Sequence, residues 1–376
     1  MAFFSFKNLV KAFSYCFVLG AFVYWGLDVL QKKRNIMSFE DYNPPSTLVV
    51  PETLLTKAKF PFVDIHNHQW NMPIADLNVL VEEMDSLNMA FMVNLSGFRG
   101  VYLQECLDNV KATAPRRFGL FVNIDWETID DPDFAKNNIA LLQQAKADGA
   151  MGLKVYKGLG LTDKDAQGQR IAIDDPRLSP IWETCGSLGF PVLIHSAEPA
   201  AFWLPKDANN ERWLELKQKP SRYRDPTKYP SFASILAEQH RVFAQHPSTT
   251  FINAHLGWMG NDLDALGKHL DNYPNVVTEM GAVLAELGRQ PRRARQFLID
   301  YQDRVLFGKD AYNMSEYYTY FRVLETDDEY FNYYRKRHAY WKMYGLALPD
   351  SVLRKVYYKN ALRILPQIDN TLFPEE

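Results

Sequence analysis

The hydrophobic pattern of the chain changes character near residue 60. Before it lies one long apolar block. After it, short β-rich runs alternate with amphipathic segments of helical length. The runs are FPFVDIHNH (60–68), AFMVNLSG (90–97), RFGLFVNID (117–125), MGLKVYKG (151–158), PVLIHSAEP (191–199), TFINAHLG (250–257), NVVTEMGA (275–282) and RVLFGKDAY (304–312). Between them lie DLNVLVEEMDSLN, DFAKNNIALLQQAKADG and PRRARQFLIDYQD, and a helix is predicted over 175–189, opening on Asp-Asp-Pro and closing near Gly. Eight strands alternating with helices predict an α/β fold, a (β/α)8 TIM barrel, over residues 60–370. A doubly wound sheet has less support, since no Gly-x-Gly-x-x-Gly follows the first strand.

The apolar block is AFSYCFVLGAFVYWGLDVL, Ala12 to Leu30, broken only by Ser14 and Asp28. Its length suits one membrane-spanning helix. Tyr24 and Trp25 suit an interface, and Lys32, Lys33 and Arg34 follow at once. No Ala-x-Ala-type cleavage site follows, so residues 1–34 are expected to be an uncleaved, single-pass anchor. Lys7, Lys11 and the terminal amine nearly balance the three later charges, which leaves orientation open. Residues 35–59, with three prolines, read as a linker or extended arm.

Charge narrows the partners. The formal net charge is −3 and no basic block stands out, so nucleic acid is not expected. The three cysteines lie far apart and form no Cys-x-x-Cys pair. A small-molecule substrate and a membrane surface remain, with a homo-oligomer open.

The chemistry gathers at the carboxyl ends of the runs, where barrel enzymes carry their active sites. The first run ends with His66 and His68, two residues apart and therefore on one strand face. The fourth carries Lys154, the fifth ends with His195, the sixth with His255 and the eighth with Asp310. The other four histidines, His240, His246, His269 and His338, fall in helices or the C-terminal region. Imidazoles plus one carboxylate, with a position left for water, are how catalytic metal sites are built. Nitrogen and oxygen donors without thiolate suit zinc first, and also manganese, iron or cobalt.

DIHNH, VLIHS, NAHLG and LFGKDA together resemble the amidohydrolase superfamily, in the amidohydrolase-related branch that includes aminocarboxymuconate semialdehyde decarboxylase. The helical segment VYYKNALRIL (356–365) also resembles that branch. The resemblance implies that His66, His68, His195 and Asp310 bind a divalent ion. It implies that His255 is the catalytic or second-metal histidine, and that Asp310 also takes a proton from the attacking water. Two-metal members carry a carboxylated lysine on strand four, a feature that Lys154 in LKVY resembles. One ion is favoured and two remain open. The implied reaction is hydrolysis of an amide, ester or lactone. Metal-assisted decarboxylation is the alternative within the superfamily, and a catalytically inactive, membrane-tethered binding barrel is the alternative outside enzymology.

Around the cluster, Arg99, Glu198, Trp258 and Glu279 follow or end strands and could hold substrate. The longest insertion, 201–230, follows the fifth run and contains Trp203, Arg212, Arg222 and Arg224. Such a segment suits a lid, and its aromatics and arginines suit an aromatic or carboxylated substrate. Arg99, Trp203, Arg212 and Trp258 are the expected substrate contacts. The aromatic stretch 316–341 is expected to pack as helices beside the barrel.

Overall fold

The computed structural model describes residues 6–34, 36–38 and 41–375. It divides into two units, residues 1–49 and 50–376.

In the first unit, helix α1 spans Phe6–Arg34. Its stretch Ser14–Lys32 is 19 residues long, apolar enough to cross a membrane, and wholly unburied. At 1.5 Å per residue that is roughly 28 Å, close to the hydrocarbon thickness of a bilayer. A signal sequence has the same length and composition. The Lys7, Lys33 and Arg34 side chains, which bear on orientation, lie outside the described residues.

The second unit is built on eight parallel strands in sequential order: β1 (Phe62–Asn67), β2 (Met89–Asn94), β3 (Phe118–Asn123), β4 (Gly152–Val155), β5 (Val192–Ile194), β6 (Phe251–Asn253), β7 (Val276–Glu279) and β8 (Val305–Leu306). Every strand residue except Asn123 and a few at the rims is essentially inaccessible, as expected of a sheet with side chains inside and helices outside. The helices are α2 (Leu77–Leu87), α3 (Gly100–Thr113), α4 (Phe134–Asp148), α5 (Ser179–Leu188), α6 (Trp213–Gln218), α7 (Phe232–Gln245), α8 (Leu263–Asn272), α9 (Leu284–Gly288), α10 (Pro291–Asp300), α11 (Met314–Glu325), α12 (Asp350–Arg354) and α13 (Asn360–Ile364). Local chemistry fixes their ends. Asp76 caps α2 by accepting from Asn78 N, and left-handed Asn88 closes it. Gly149 and Gly189 close α4 and α5 in the same left-handed way.

The ring closes between β8 and β1. Ile65 N donates to Phe307 O at 3.1 Å, and Asp310 N donates to His66 O at 2.6 Å. The seam therefore sets the register of His66 against Asp310 through the backbone itself. Asp64 reinforces it. This buried carboxylate accepts from Tyr317 Oη (2.6 Å), Asn67 Nδ2 (2.8 Å) and the backbone N–H groups of His66 and Lys309. Behind the seam Phe62 packs on Phe307 at 4.8 Å and Phe321 at 5.6 Å, joining both strands to α11.

Two expected segments differ. Residues 50–59, within the expected arm, are hydrogen-bonded to the barrel: Thr53 N and Oγ1 donate to Asp328, Ala58 N to Leu87 O and Lys59 N to Glu325. The aromatic stretch 316–341 is helical only through Glu325. Beyond it the chain is irregular, pinned by a Phe331–Met343 bridge and by the Arg322–Asp328 ion pair. Apolar density predicts burial, and Phe331 and Tyr333 are buried, but it does not by itself specify a helix.

Candidate metal centre

The carboxyl ends of the strands are where the backbone is most strained. Phe98 after β2, Ala197 after β5, His255, Leu256 and Trp258 after β6, Ala282 after β7 and Asp310 after β8 all have positive φ. Each non-glycine residue held there costs roughly 1–2 kcal/mol. Strain of this kind clusters where side-chain aim matters more than backbone comfort. After β6 the run from His255 to Trp258 is left-handed throughout, and it turns the His255 ring toward His66 and His195.

The result is a row of imidazoles. Ring centres lie 5.4 Å apart for His68 and His66, 4.9 Å for His66 and His255, and 4.4 Å for His255 and His195. Asp310 Oδ1 sits 3.4 Å from His66 Nε2 and 3.6 Å from His68 Nε2. One donor atom each from His66, His255 and Asp310 lies within 4.8 Å of the others. His195 joins through its Nδ1, 3.3 Å from His255 Nε2.

The outer ring nitrogens are occupied, and that determines which nitrogens face inward. His66 Nδ1 lies 2.9 Å from Glu279 Oε1, and His255 Nδ1 lies 2.7 Å from Gly281 O. Both partners only accept, so each Nδ1 carries the proton and each Nε2 presents a lone pair. His255 Nε2 then accepts from His195 Nδ1, leaving the His195 Nε2 lone pair free. His68 Nδ1 is 2.7 Å from Ser96 Oγ. His66 Nε2 and His195 Nε2 are buried, with no hydrogen-bond partner among the described residues. Burial, then the Lys154 charge, holds His66 well below the ordinary imidazole range and His68 down to about 4. Burial, then His255 and Lys154, does the same to His195. His66, His68 and His195 are therefore neutral at physiological pH. Burial pushes the Asp310 carboxyl up, but the charge of its surroundings, the Lys154 ammonium included, outweighs burial and holds it down to about 2.

Buried lone pairs without donors are costly. Several converging on one carboxylate fit a divalent cation, which would satisfy all of them. The donors that group most tightly are His66, His255 and Asp310, with His195 beside His255 and His68 beside Asp310.

Lys154 is fully buried, with Nζ lacking a hydrogen-bond partner and lying 5.4 Å from the Tyr156 ring. Burial pulls its ammonium down to about 8. Lys157, three residues on, is instead paired with Glu198 at 2.6 Å, and Arg224 from the long insertion shares that carboxylate at 2.9 Å.

The four expected substrate contacts are distributed unequally. Trp258 lies against the cluster, 4.6 Å from His255 and 5.7 Å from His195 between ring centres, with its indole N–H buried and unpartnered. Arg212 and Trp258 line one cavity together with Pro199, Glu211 and Glu286. Arg212 also donates to His338 O. Arg99 is paired with Asp125 at 2.5 Å. Trp203 is tied into the insertion rather than to the histidines, with its N–H on Pro230 O and its ring on Phe232. The insertion holds two short 3-10 turns and α6.

Sequence reasoning placed Glu279 among groups that could hold substrate. It is instead wholly buried behind the site, accepting from His66 Nδ1, His255 N and Gly281 N. Trp70, stacked on His68, was not singled out at all.

The fold and site define a barrel enzyme whose histidine–aspartate cluster suits a divalent metal. The Amidohydrolase family pattern matches residues 53–367, and the chain belongs to that family. No curated protein sequence matches it. Among solved structures it resembles an uncharacterized TIM-barrel protein from Bordetella bronchiseptica, at 17% identity and a TM-score of 0.52, covering 82% of this chain and 99% of that one. It also resembles 2,6-dihydroxybenzoate decarboxylase complexed with 2,6-dihydroxybenzoate, at 15% identity and a TM-score of 0.52, with 82% and 99% covered.

Proposed function

We propose that the chain is a membrane-anchored, metal-dependent hydrolase that opens an amide, ester or lactone bond of a small aromatic or carboxylated substrate. The observation that carries this reading is the pair of orphaned, buried lone pairs at His66 Nε2, beside Asp310, and at His195 Nε2, beside His255. His66, His68, His195 and Asp310 would hold the ion, with zinc first among candidates and one ion favoured over two. When bound, such an ion polarises a carbonyl and makes water a nucleophile near neutral pH.

The chain's own groups supply the rest. Asp310 Oδ1 accepts the proton of the attacking water. His255, oriented by Gly281 O, takes that proton from Asp310 on its Nε2 lone pair and gives it to the leaving group. The Trp258 N–H, unpartnered in the fold, donates to a substrate oxygen. Arg212 and the insertion close over the cavity and exclude water. Arg99 assists through the charge it shares with Asp125, and Trp203 holds the insertion in shape. α1 tethers the enzyme to a bilayer.

A second reading, decarboxylation, is favoured by one observation: the buried Lys154 ammonium has no carboxylate partner within hydrogen-bond reach. A substrate carboxylate would provide one. Decarboxylation is also the named activity of one structure that the chain resembles. The deciding experiment is elemental analysis of the purified full chain, followed by assays of lactones, activated esters and aromatic carboxylates with separate detection of acid release and carbon dioxide. Metal-free protein that is inert toward all of them would refute both readings.

A further inference from the structure

His195 and His255 stand on the turns that follow β5 and β6. The ladder between those strands ends at the Ile194–Asn253 pair, and the 3.3 Å contact between the two imidazoles lies beyond it. The ladder alone therefore does not set the spacing of the two turns. Gln239, wholly buried on α7, reaches both of them. Its amide nitrogen donates to Ser196 Oγ at 3.0 Å and to Asn253 Oδ1 at 3.1 Å. Ser196 directly follows His195, and Asn253 stands two residues before His255. A side-chain amide has two N–H donors, and here each ties one strand end.

Asn253 passes the restraint on to His255. Its amide packs against the left-handed turn: a Cβ on Gly257, at φ 58°, would come within 2.5 Å of Asn253 Nδ2 and 3.2 Å of its Cγ. Only glycine fits over that amide. Asn253 Nδ2 also lies 3.5 Å from His269 Nε2, and the Asn253 carbonyl accepts from Thr278 Oγ1 at 2.7 Å. The side chain that Gln239 holds is thus the floor of the turn that aims His255. Gln239 Oε1 is buried with no hydrogen-bond partner among the described residues. A half-satisfied amide in a core costs stability that an apolar side chain of the same size would not, so packing does not explain a glutamine here. Its two donors do.

We propose that Gln239 is a positioning residue: its amide holds the turns after β5 and β6 at the spacing that brings His195 and His255 together in the metal centre. It acts through Ser196 and Asn253, not through either imidazole. This rests on the metal-centre reading above and adds to it a restraint from the outer layer of helices, separate from Glu279, which bonds His66 and His255 directly.

The test is cobalt(II) binding to the full chain, read by visible absorption and by competition against a chelator. Cobalt(II) accepts nitrogen and oxygen donors, and its visible bands follow the ligand geometry. Gln239→Met keeps the length of the side chain and removes both donors. Glu238→Gln is the control, since Glu238 lies on the same helix but bonds Arg170 Nη1 at 2.9 Å and Ile173 N at 3.1 Å, away from the two turns. Gln239→Met should shift the cobalt bands and weaken affinity roughly 10-fold, the low end for groups outside the ligand shell. Glu238→Gln should keep the wild-type bands and affinity. If Gln239→Met does not fold, Ser196→Ala removes one tie alone and is read by the same criteria. Wild-type bands and affinity in the folded variant, or an equal change in Glu238→Gln, overturn the proposal alone. A wild type that takes up no cobalt overturns the metal-centre reading, and this proposal with it.

Discussion

Glu279 Oε1 lies 2.9 Å from His66 Nδ1, both groups fully buried. The same oxygen accepts from His255 N at 2.7 Å, so one carboxylate fixes two members of the cluster. A carboxylate behind a ligating histidine sets its tautomer and raises its basicity. Glu279→Gln keeps the shape and removes the charge. Metal affinity should fall roughly 10- to 100-fold, the usual range for such partners, while circular dichroism of the barrel stays unchanged. Affinity unaltered in a competition titration against a chelator would mean that Glu279 only fills space.

His66→Ala and His68→Ala address the proposed ligands directly. The scaffold that aims them is backbone: the seam bonds from Ile65 N and Asp310 N do not involve either imidazole. Both variants should fold, melt cooperatively and lose bound metal and activity together. Full metal content by elemental analysis in either variant would remove that residue from the ligand set.

Much of this arrangement is readable in the sequence, and the part that is not has physical causes. All eight apolar runs become strands, yet each run overshoots its strand at the carboxyl end. PVLIHSAEP contains only Val192–Ile194 as ladder, and TFINAHLG only Phe251–Asn253. The excess is where the chain leaves the ladder to aim His195 and His255. In the left-handed turn after β6 only Gly257 announces itself by residue type; His255, Leu256 and Trp258 are forced there by their surroundings. Glu279 reads as one acid among 45 Asp and Glu. Its role depends on a contact 213 residues away in the chain, which no local pattern encodes.

A pH effect separate from the metal centre is expected from His269. It is buried in α8, with Nδ1 unpartnered, and burial, then His240 and Arg304, holds its pKa down to about 3. An unfolded histidine titrates near 6.5. Between those values the unfolded chain takes up a proton that the native state refuses, so stability falls as pH drops below about 6.5, and the loss from this group stops growing near 3. At pH 5 the loss from this group is about 2 kcal/mol. His269→Gln should flatten the stability profile between pH 7 and 5 by that amount in urea unfolding. Parallel profiles for the two proteins would exclude His269 as the source.

Removal of residues 1–34 tests the anchor. The barrel unit begins at residue 50, and its N-terminal contacts start at Thr53. The full chain should sediment with membranes and resist alkaline carbonate. The truncated chain should remain in the supernatant with the same melting midpoint and metal content. A full chain released by carbonate would argue against a membrane-spanning α1, and aggregation of the truncated chain would argue that α1 supports the fold.

Lys154 decides between one ion and two. Its Nζ is buried, unpartnered and close enough to His66, His68, His195 and Asp310 for its charge to act on all four. As an ammonium it repels a cation in that cluster and suits a substrate carboxylate. As a carbamate, formed when the neutral amine attacks carbon dioxide, it carries negative charge and can bridge two cations. Burial favours the neutral amine, bringing the pKa to about 8, so the reacting form is accessible near physiological pH. In the two-ion case Lys154→Ala should reduce the metal content from about two ions to one or none, with His255 the other residue needed for the second ion. A short carboxylic acid added to the variant should then restore part of the activity. In the one-ion case Lys154→Ala should keep its single ion and show a raised KM with kcat less affected, the signature of lost substrate binding. Intact mass of the wild type separates the two before any variant is made, since a carbamate adds about 44 Da. One tightly held ion with an unmodified Lys154 would rule out the bridged centre and leave His255 as an acid–base group beside the ion.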